Sequence, residues 1–261
     1  MPRRLDVLDR LVAEGQEEFT FDTAKTVLGT SPTATANALR RLREQGLLDR
    51  VARGHYVIRP LGSLGTSAAT DDLSFAVGAA FAGREHRMAY LSALSELGLV
   101  THPVRTVFVA CTHQARLSTI SRRPLHVVIE KSDTIHLEAE PIGTSWRSNL
   151  ERALFESALR VDLVGSVERL AEALASGAPE ADPPRIARLV KPFGARGRAA
   201  ERRLASLALA LDLPIDLHPT VDRRRPVISL DPRDDHVEWI DRVFRVAWNV
   251  TVDELRAVVG N

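Results

Sequence analysis

The chain has 261 residues, of which 44% are hydrophobic and 26% are charged, and its formal net charge at pH 7 is +1. This composition is typical of an ordinary globular protein and excludes a polycation that coats nucleic acid by charge alone, so any basic surface must be local. The single cysteine, Cys111, excludes an internal disulfide framework and a cysteine cluster for zinc, and it favours a reducing compartment, for which the cytoplasm is the default.

The first sixty residues predict three short helices followed by a two-stranded hairpin. Apolar residues at helical spacing predict a first helix over Leu5–Val12, which carries too many charges to be a signal peptide. A second helix is expected to stop at Gly29, and Ser31 with the following proline begins the third. The segment LLDRVARGHYVI then predicts two strands that meet at Gly54. This order is that of a winged helix-turn-helix, which we assign to residues 1–62.

The third predicted helix carries the strongest chemical signal in the chain. On a helical wheel its apolar residues point to one side, whereas Asn37 and Arg40 lie at the centre of the opposite side. Asparagine and arginine are the residue types best fitted to bidentate contacts with adenine and guanine edges, and flanking arginines would contact phosphates. Between Ser31 and Pro60, six arginines accompany only two carboxylates. The sequence therefore predicts binding to duplex DNA, with a solvated helix face or a protein contact as the alternative.

A larger second unit is predicted after Pro60–Asp72, a stretch that is rich in Gly, Ser and Thr and lacks periodicity. We place the domain boundary there and assign residues 73–261 to the second domain. Its first segment, Ser74–Gly98, predicts one or two helices. The longest apolar run of the chain lies in this segment and is roughly half of the ~20 residues that a membrane helix needs, so no membrane partner is expected.

The rest of the second unit alternates between strand and helix patterns. The segments VRTVFVACT, PLHVVIEK and TIHLEAE are typical of strands, and helix returns in TSWRSNLERALFESAL, over Val167–Leu174 and over the arginine-rich Ile186–Leu211. Two last strand-like segments are VISLDP and RVFRVAWNVT. The second unit is therefore a mixed α/β domain, and the fold class of the whole chain is α+β. We expect each unit to fold separately, with a core of the second unit formed by Leu91, Val107, Val109, Val128, Ile129, Leu154 and Leu159.

Residue types that bind metals or catalyse reactions are present but lack the spacing that such sites need. Four histidines and a cysteine give no local metal signature, and they are His102, His113, His126 and His136 with Cys111. A two-carboxylate magnesium site would use Asp133 with Glu130, Glu138 or Glu140, but the lysine of a nuclease is missing. No nucleophile elbow and no Gly-rich phosphate loop is present. We therefore expect no enzyme activity, no cofactor and no metal.

Basic residues also gather in the last third of the chain. Such a cluster fits an acidic protein partner or DNA phosphates, although a solvated helix face with a basic loop explains it equally well. The candidate partner-binding residues are Arg196, Arg198, Arg202, Arg203, Arg223, Arg224 and Arg225.

Six segments occur in order along nearly the whole chain: ALRRLREQGLLDRVARGHYVI, MAYLSALSELGL, VFVACT, TSWRSNLERALFESAL, VISLDP and FRVAWNVT. Together they resemble the AbiEi family of type IV antitoxins and related transcriptional regulators. In that family the N-terminal winged helix represses its own promoter, and the C-terminal domain counteracts a nucleotidyltransferase-like toxin encoded next to it. The resemblance therefore implies an autorepressor and antitoxin whose partners are its own operator DNA and, directly or indirectly, such a toxin.

The resemblance also assigns roles to individual residues. The recognition-helix role falls on Thr33, Asn37, Arg40 and Arg41, and the wing role falls on the turn at Gly54 and its neighbours. With the residues from the helical wheel, the predicted DNA-binding set is Ser31, Thr33, Asn37, Arg40, Arg41, Arg43, Arg53, His55 and Tyr56. One departure is Glu156 in LERALFE, where an aspartate is expected, and it bears on the subfamily.

Two classes of function remain open at this stage. One is the antitoxin-type repressor, and the other is a ligand-responsive winged-helix repressor without a toxin partner. The chain organisation is the same for both, so the neighbouring reading frame is the observation that separates them.

Overall fold

The N-terminal part of the chain folds as a helix-turn-helix followed by a β hairpin. The computed structural model describes residues 18–52, 54–59, 73–121, 123–222, 224 and 226–260. The N-terminal elements are β1 (Glu18–Thr20), α1 (Phe21–Leu28), α2 (Pro32–Glu44), β2 (Leu48–Ala52) and β3 (His55–Ile58). The strands form an antiparallel sheet in the order β1-β3-β2. The second and third predicted helices and the hairpin are confirmed, whereas the predicted first helix lies outside the described residues.

Local sequence determines where both helices begin and where the first one ends. Thr20 caps α1 because its Oγ1 accepts a hydrogen bond from the backbone N–H of Thr23 at 3.0 Å. Gly29 ends α1 with a φ of 60°, a left-handed conformation that glycine adopts without strain. Ser31 caps α2 and accepts a hydrogen bond from the N–H of Ala34 at 3.3 Å. Two polar caps and one glycine therefore set the turn between the helices.

The first half of the second unit builds a six-stranded sheet in the order β6-β7-β5-β4-β9-β8. Its elements are α3 (Leu73–Ala80), β4 (His86–Met88), α4 (Tyr90–Glu96), β5 (Val107–Cys111), β6 (Thr119–Ile120), β7 (Arg123–Ile129), α5 (Ser132–Ile135), β8 (Ala139–Ile142) and β9 (Ser145–Ser148). The central strand β5 is parallel to β7 and antiparallel to β4. Val107 and Val109 pack with α3, whereas Phe108 and Ala110 pack with α4 and α5. The centre of the sheet is therefore covered on both faces.

The second half places helices around a buried central helix, α6. The elements are α6 (Leu150–Leu159), α7 (Val161–Val164), α8 (Val167–Gly177), α9 (Pro183–Val190), α10 (Gly194–Ala210), β10 (Ile228–Ser229), β11 (Trp239–Asp241), β12 (Val246–Trp248) and α11 (Val252–Val259). Every residue of α6 after Leu150 is buried, and α4, α8, α9 and α10 pack around it. Within the described residues no helix combines the length and the apolar character needed to cross a bilayer.

Three of the predicted elements of the second unit differ in the structure. The strand β4 interrupts the helical stretch predicted over Ser74–Gly98, because its residues are buried between β5 and β9. The start of TSWRSNLERALFESAL forms β9, and α6 begins only after the Asn149 cap. Only Thr134 and Ile135 of the segment TIHLEAE are helical, as the end of α5, and the chain then turns over residues 136–138 before it enters β8 at Ala139.

The predicted core of the second unit is largely confirmed. Val107, Val109, Leu154 and Leu159 are buried. Leu91 and Val128 are half-buried and pack against the buried clusters. Ile129 was wrongly placed in the core, because it is the last residue of β7 and its side chain is 52% exposed.

The two units share a packing surface that the sequence does not predict. The outer face of the β1-β3-β2 sheet lies on α3, and Val57 is buried in one cluster with Ala76 and its neighbours. Thr144 Oγ1 donates a hydrogen bond to the Glu18 carboxylate at 2.7 Å across the same boundary. We call this contact of the three-stranded sheet with α3 the shared interface. It argues against the expectation that residues 1–60 fold alone, because without α3 the Val57 side chain would face water.

Candidate nucleic-acid interface

Helix α2 has one buried face and one exposed face. Thr35, Leu39 and Leu42 are buried and attach the helix to the N-terminal core. Thr35 also forms a hydrogen bond with Thr30, at 2.9 Å between the two Oγ1 atoms, which holds the turn against the helix. The predicted helical contact residues are all exposed, and they are Ser31, Thr33, Asn37, Arg40, Arg41 and Arg43. The structure therefore places these six side chains at the surface, while their contact with DNA remains a prediction.

The arginines of α2 are available for contacts outside the protein. Arg40 Nη1 lies 3.5 Å from Glu44 Oε1, and the two side chains are 63% and 60% exposed. An exposed pair at this spacing contributes only about 0.3–0.5 kcal/mol, so Arg40 can leave Glu44 at small cost. Arg41 and Arg43 form no ion pair with any residue that the structure describes. The helix thus presents an asparagine and three arginines that its fold does not need.

The hairpin turns two of the predicted wing residues away from the surface. Tyr56 is 8% exposed, and its ring stacks on Phe19 with 5.8 Å between the centroids. His55 lies on the other face of β3 and is hydrogen-bonded to the backbone of Ala79 in α3, and burial lowers its pKa. We therefore remove both from the DNA-contacting set, because one belongs to the N-terminal core and the other to the shared interface. Arg53 lies outside the described residues.

One of the six arginines counted between Ser31 and Pro60 is structural. Arg59 is buried and forms two hydrogen bonds with Asp49, from Nε at 2.9 Å and from Nη2 at 2.7 Å. This bidentate pair joins the beginning of β2 to the end of β3. The basic charge that faces solvent near α2 is therefore smaller than the sequence suggests.

The basic set in the last third of the chain divides into buried and exposed members. Arg202 donates hydrogen bonds to two backbone carbonyl groups between β11 and β12, at 2.7 and 2.6 Å. Arg203 donates to the carbonyl groups of Ala158 and Ser229, both at 2.9 Å. The two are only 6% and 7% exposed, so the prediction that they form a surface for a protein partner is wrong. Arg196 and Arg224 are exposed, Arg198 is half-buried, and Arg223 and Arg225 lie outside the described residues.

Four buried charges compensate each other at the centre of the second unit, and we call Arg87, Glu130, Arg152 and Glu156 the four-charge cluster. Arg87 lies 2.6 Å from Glu156 (Nη2 to Oε2) and 2.9 Å from Glu130 (Nη1 to Oε2). Arg152 pairs with the same two carboxylates. Burial by itself raises the pKa of Glu130, but the two arginines outweigh it and hold the pKa below its usual value. The cluster therefore joins β4, the end of β7 and α6 through ion pairs, although Nη1 of Arg152 is buried without a hydrogen-bond partner among the described residues.

Sequence reasoning found only two members of this cluster and gave neither its role. Glu130 was weighed as a nuclease carboxylate, and Glu156 was noted as a departure from the family pattern. The four residues come from three elements that are far apart in sequence, so no local spacing could reveal them. Each of the two carboxylates, Glu130 and Glu156, contacts two guanidinium groups. Their negative charges therefore compensate the buried arginines and are not available to bind a cation.

The other residues weighed for metal binding or catalysis lie apart. Glu138 accepts a hydrogen bond from Arg185 at 2.8 Å, Glu140 pairs with Arg147, and Asp133 is exposed in the first turn of α5. Cys111 is buried, and His102, His113, His126 and His136 lie beside Thr101, Thr112, Phe108 and Trp146, respectively. Among the residues that the structure describes, no three His, Cys, Asp or Glu side chains meet as a metal site would require.

The sequence of the N-terminal unit matches a known protein family, and the fold of the whole chain is similar to that of a solved structure. Residues 3–59 match the family model described as "Transcriptional regulator, AbiEi antitoxin", which confirms the predicted resemblance over the N-terminal unit. The crystal structure of the RV2827C protein from Mycobacterium tuberculosis is similar with a TM-score of 0.68 and 18% identity. That likeness covers 100% of this chain and 96% of the other, and at this identity it establishes the fold alone. No curated protein matches the chain significantly.

Proposed function

We propose that the protein is a cytoplasmic DNA-binding autorepressor and the antitoxin of a type IV toxin–antitoxin system, which counteracts a nucleotidyltransferase-like toxin. The observation that carries the proposal is the exposed face of α2 within a unit that matches the family of AbiEi transcriptional regulators. On that face, Asn37, Arg41 and Arg43 are exposed and Arg40 has only an exposed ion pair with Glu44, and Ser31 caps the start of the helix. This is the arrangement that a recognition helix needs in the major groove.

The spacing of the exposed residues divides them into two roles. Thr33, Asn37 and Arg40 follow one another at four and three residues, so they form one stripe along the helix. This stripe faces the base edges in our proposal, with Asn37 toward adenine and Arg40 toward guanine. Arg41 and Arg43 flank the stripe and contact phosphates, which fixes the position of the helix without reading sequence.

The test is fluorescence anisotropy with a duplex that carries the promoter region of the protein's own gene. Arg40→Ala should lose about 1–3 kcal/mol of binding free energy at that site and relax the base preference at one position. Arg41→Ala should weaken all sequences alike and lower the slope of log K against log salt by about 0.9. Arg242→Ala, which removes an exposed arginine of the second unit, is the matched control. Unchanged operator affinity in both α2 variants would contradict the assignment.

We place the antitoxin action in residues beyond about 70, in the larger α/β unit. Because the two units share an interface, the full chain is the right material for the test. The double substitution Arg40→Ala and Arg41→Ala should abolish promoter repression while the chain still rescues growth when it is co-expressed with the neighbouring toxin. Loss of rescue in this variant, with normal protein levels and folding, would place the antitoxin action in the DNA-binding unit instead.

The exposed arginines of the second unit provide the surface that we propose for a protein partner. The candidates are Arg196 and Arg224, which are exposed, and Arg198, which is half-buried, and their attraction to an acidic partner should fall with added salt. We also propose that the protein acts without catalysis of its own. Metal-dependent cleavage of nucleic acid by the purified protein, abolished by Asp133→Ala or Glu138→Ala, would contradict this.

A ligand-responsive repressor without a toxin partner is the second candidate function. One observation favours it, namely a cavity lined by arginines in the second unit. A nucleotidyltransferase-like reading frame next to the gene would favour the antitoxin, whereas its absence would favour the ligand-responsive repressor.

A further inference from the structure

A cavity of about 310 Å³ opens in the second unit where α6 ends. Its charged lining comes from three parts of the chain: Arg160 and Asp162 around the start of α7, Arg196 and Arg203 on α10, and Arg233 after β10. Four guanidinium groups therefore converge on a space that contains a single carboxylate in its lining. This concentration of charge is unusual in a protein whose formal net charge is only +1.

Two of the arginines are held in place by bidentate ion pairs. Arg160 donates to Asp162 from Nε at 2.8 Å and from Nη2 at 2.7 Å. Arg233 donates to Asp231 from Nε at 3.0 Å and from Nη2 at 2.7 Å, and its Nη2 also contacts the carbonyl oxygen of Gly165. Both guanidinium planes are thus fixed before any ligand arrives, which lowers the entropic cost of binding.

Arg203 forms the inner wall of the cavity and carries a charge that no carboxylate contacts directly. Its Nε and Nη1 donate to backbone carbonyl groups, and its Nη2 has no hydrogen-bond partner among the described residues. Burial lowers the pKa of Arg203 to about 10, so the side chain is still protonated at neutral pH. Arg203 is thus a buried cation in the lining of a cavity, and the two N–H groups of its Nη2 are unused by the described residues. An anion is attracted more strongly at such a site than in water.

Arg196 provides the outer, adaptable member of the group. It lies seven residues before Arg203, two turns earlier on the same face of α10. It is exposed and forms no ion pair or hydrogen bond with the part of the chain that the structure describes. Its side chain can therefore close over a ligand that is bound against Arg203.

We propose that this cavity binds the phosphate group of a phosphorylated small molecule. A tetrahedral dianion offers three oxygens to several guanidinium donors. The four arginines of the lining face two carboxylates, Asp162 paired with Arg160 and Asp231 paired with Arg233, which leaves an excess of two positive charges. The volume lies at the lower end of the range of small-molecule sites and leaves room beyond the phosphate, beside the apolar walls of Leu159 and Pro232. Arg203 is recessed, so a terminal phosphate reaches it, whereas a phosphate in the backbone of a duplex does not.

Isothermal titration calorimetry of the full chain with inorganic phosphate, pyrophosphate and adenosine monophosphate tests the proposal. The expected result is saturable binding of one molecule per chain, which Arg196→Glu weakens by at least about tenfold. Arg242→Glu makes the same change of charge at an exposed arginine outside the cavity and should leave the affinity unchanged. Arg203→Lys keeps the charge but loses the planar donor group, and it should also weaken binding.

Three outcomes would overturn the proposal. The first is the absence of saturable binding of all three probes to the wild-type chain. The second is an equal loss of affinity in Arg196→Glu and Arg242→Glu, which would indicate general attraction by net charge. The third is a loss of affinity for a non-operator DNA duplex in Arg196→Glu with unchanged binding of the three probes, which would make the arginines a nucleic-acid surface. The experiment does not depend on promoter binding by α2, so its failure and that of the proposed function are distinguishable.

Discussion

The packing around Gly78 of α3 predicts that a larger residue at this position will destabilise the protein. A Cβ atom placed on Gly78 would lie 2.1 Å from Oγ1 of Thr144 and 2.8 Å from the carbonyl oxygen of the same residue. Thr144 in turn holds Glu18 of β1 by a hydrogen bond at 2.7 Å. The absence of a side chain at Gly78 therefore lets α3 approach the turn that contacts β1 of the N-terminal unit.

Two effects of opposite sign decide the result of Gly78→Ala. Alanine is the better helix former and would stabilise α3 by about 1 kcal/mol if nothing else changed. Against this, overpacking costs typically 1–3 kcal/mol, and here the contact with a backbone oxygen cannot be relieved by rotation of a side chain. Because the added Cβ would come within 3.0 Å of two backbone atoms of Thr144, the cost lies at the upper end of this range. We therefore expect a net loss of about 2 kcal/mol, which lowers Tm by roughly 4–8 °C for a chain of this size.

Urea and thermal denaturation followed by circular dichroism measure this loss. Thr144→Ala removes the hydroxyl contact at 2.1 Å but leaves the carbonyl contact at 2.8 Å, so the double variant should recover only part of the stability. Thr144→Ala alone is the control, because it reports the cost of the lost hydrogen bond to Glu18. If Gly78→Ala were as stable as the wild type or more stable, the close approach of α3 to this turn would be refuted.

Three further predictions concern charge and capping. Glu156→Gln should lower the free energy of unfolding by about 3–5 kcal/mol, because it leaves Arg87 and Arg152 buried with one carboxylate fewer. Differential scanning calorimetry would show this loss as a large fall in Tm. The pKa of Glu130 is lowered in the folded state, so its ionised form stabilises the protein fully above the usual pKa of 4.5, and this contribution should be lost as the pH falls below that value. In urea titrations at a series of pH values, the unfolding free energy of Glu130→Gln should therefore fall less steeply below pH 4.5 than that of the wild type. Ser31→Ala should cost about 1 kcal/mol by removing the cap of α2, and an unchanged urea midpoint would argue against that cap.

The N-terminal unit was predictable because its signals are local. The hydroxyl of Ser31, the proline after it and the left-handed Gly29 each act within a few residues, so the sequence places the helix boundaries correctly. The exposed face of α2 follows from helical periodicity alone. Two hairpin residues were wrongly assigned to DNA contact for different reasons. Tyr56 points into the N-terminal core against Phe19. His55 points to the opposite face of β3, and the sequence gives no sign that α3 covers that face.

The sites of the second unit could not be predicted because their members are distant in sequence. Arg87 and Glu156 are separated by 69 residues and meet only because α6 packs beside β4. The residues of the arginine-lined cavity are also distant in sequence. Arg160 and Arg233 lie near the arginines of α10 only because three separate segments of the chain pack together. The density of arginines in the last third of the sequence suggested a surface for a protein partner. In the structure, however, Arg202 is buried and donates hydrogen bonds to backbone carbonyl groups.

Both faces of the central strand β3 are covered by other parts of the protein, and this limits how the N-terminal unit can be exchanged or re-engineered. Tyr56 faces one core and Val57 the other, so both faces of β3 are committed to specific neighbours. An N-terminal unit with a polar outer face, transplanted from another protein, would fit poorly on α3. Under the proposed DNA-binding role, new operator preferences should therefore come from substitutions along the outward stripe of α2, at Thr33, Asn37 and Arg40, and not from exchange of the whole unit. Under that role, one face of α2 can change its DNA preference while the packing of the sheet on α3 stays the same.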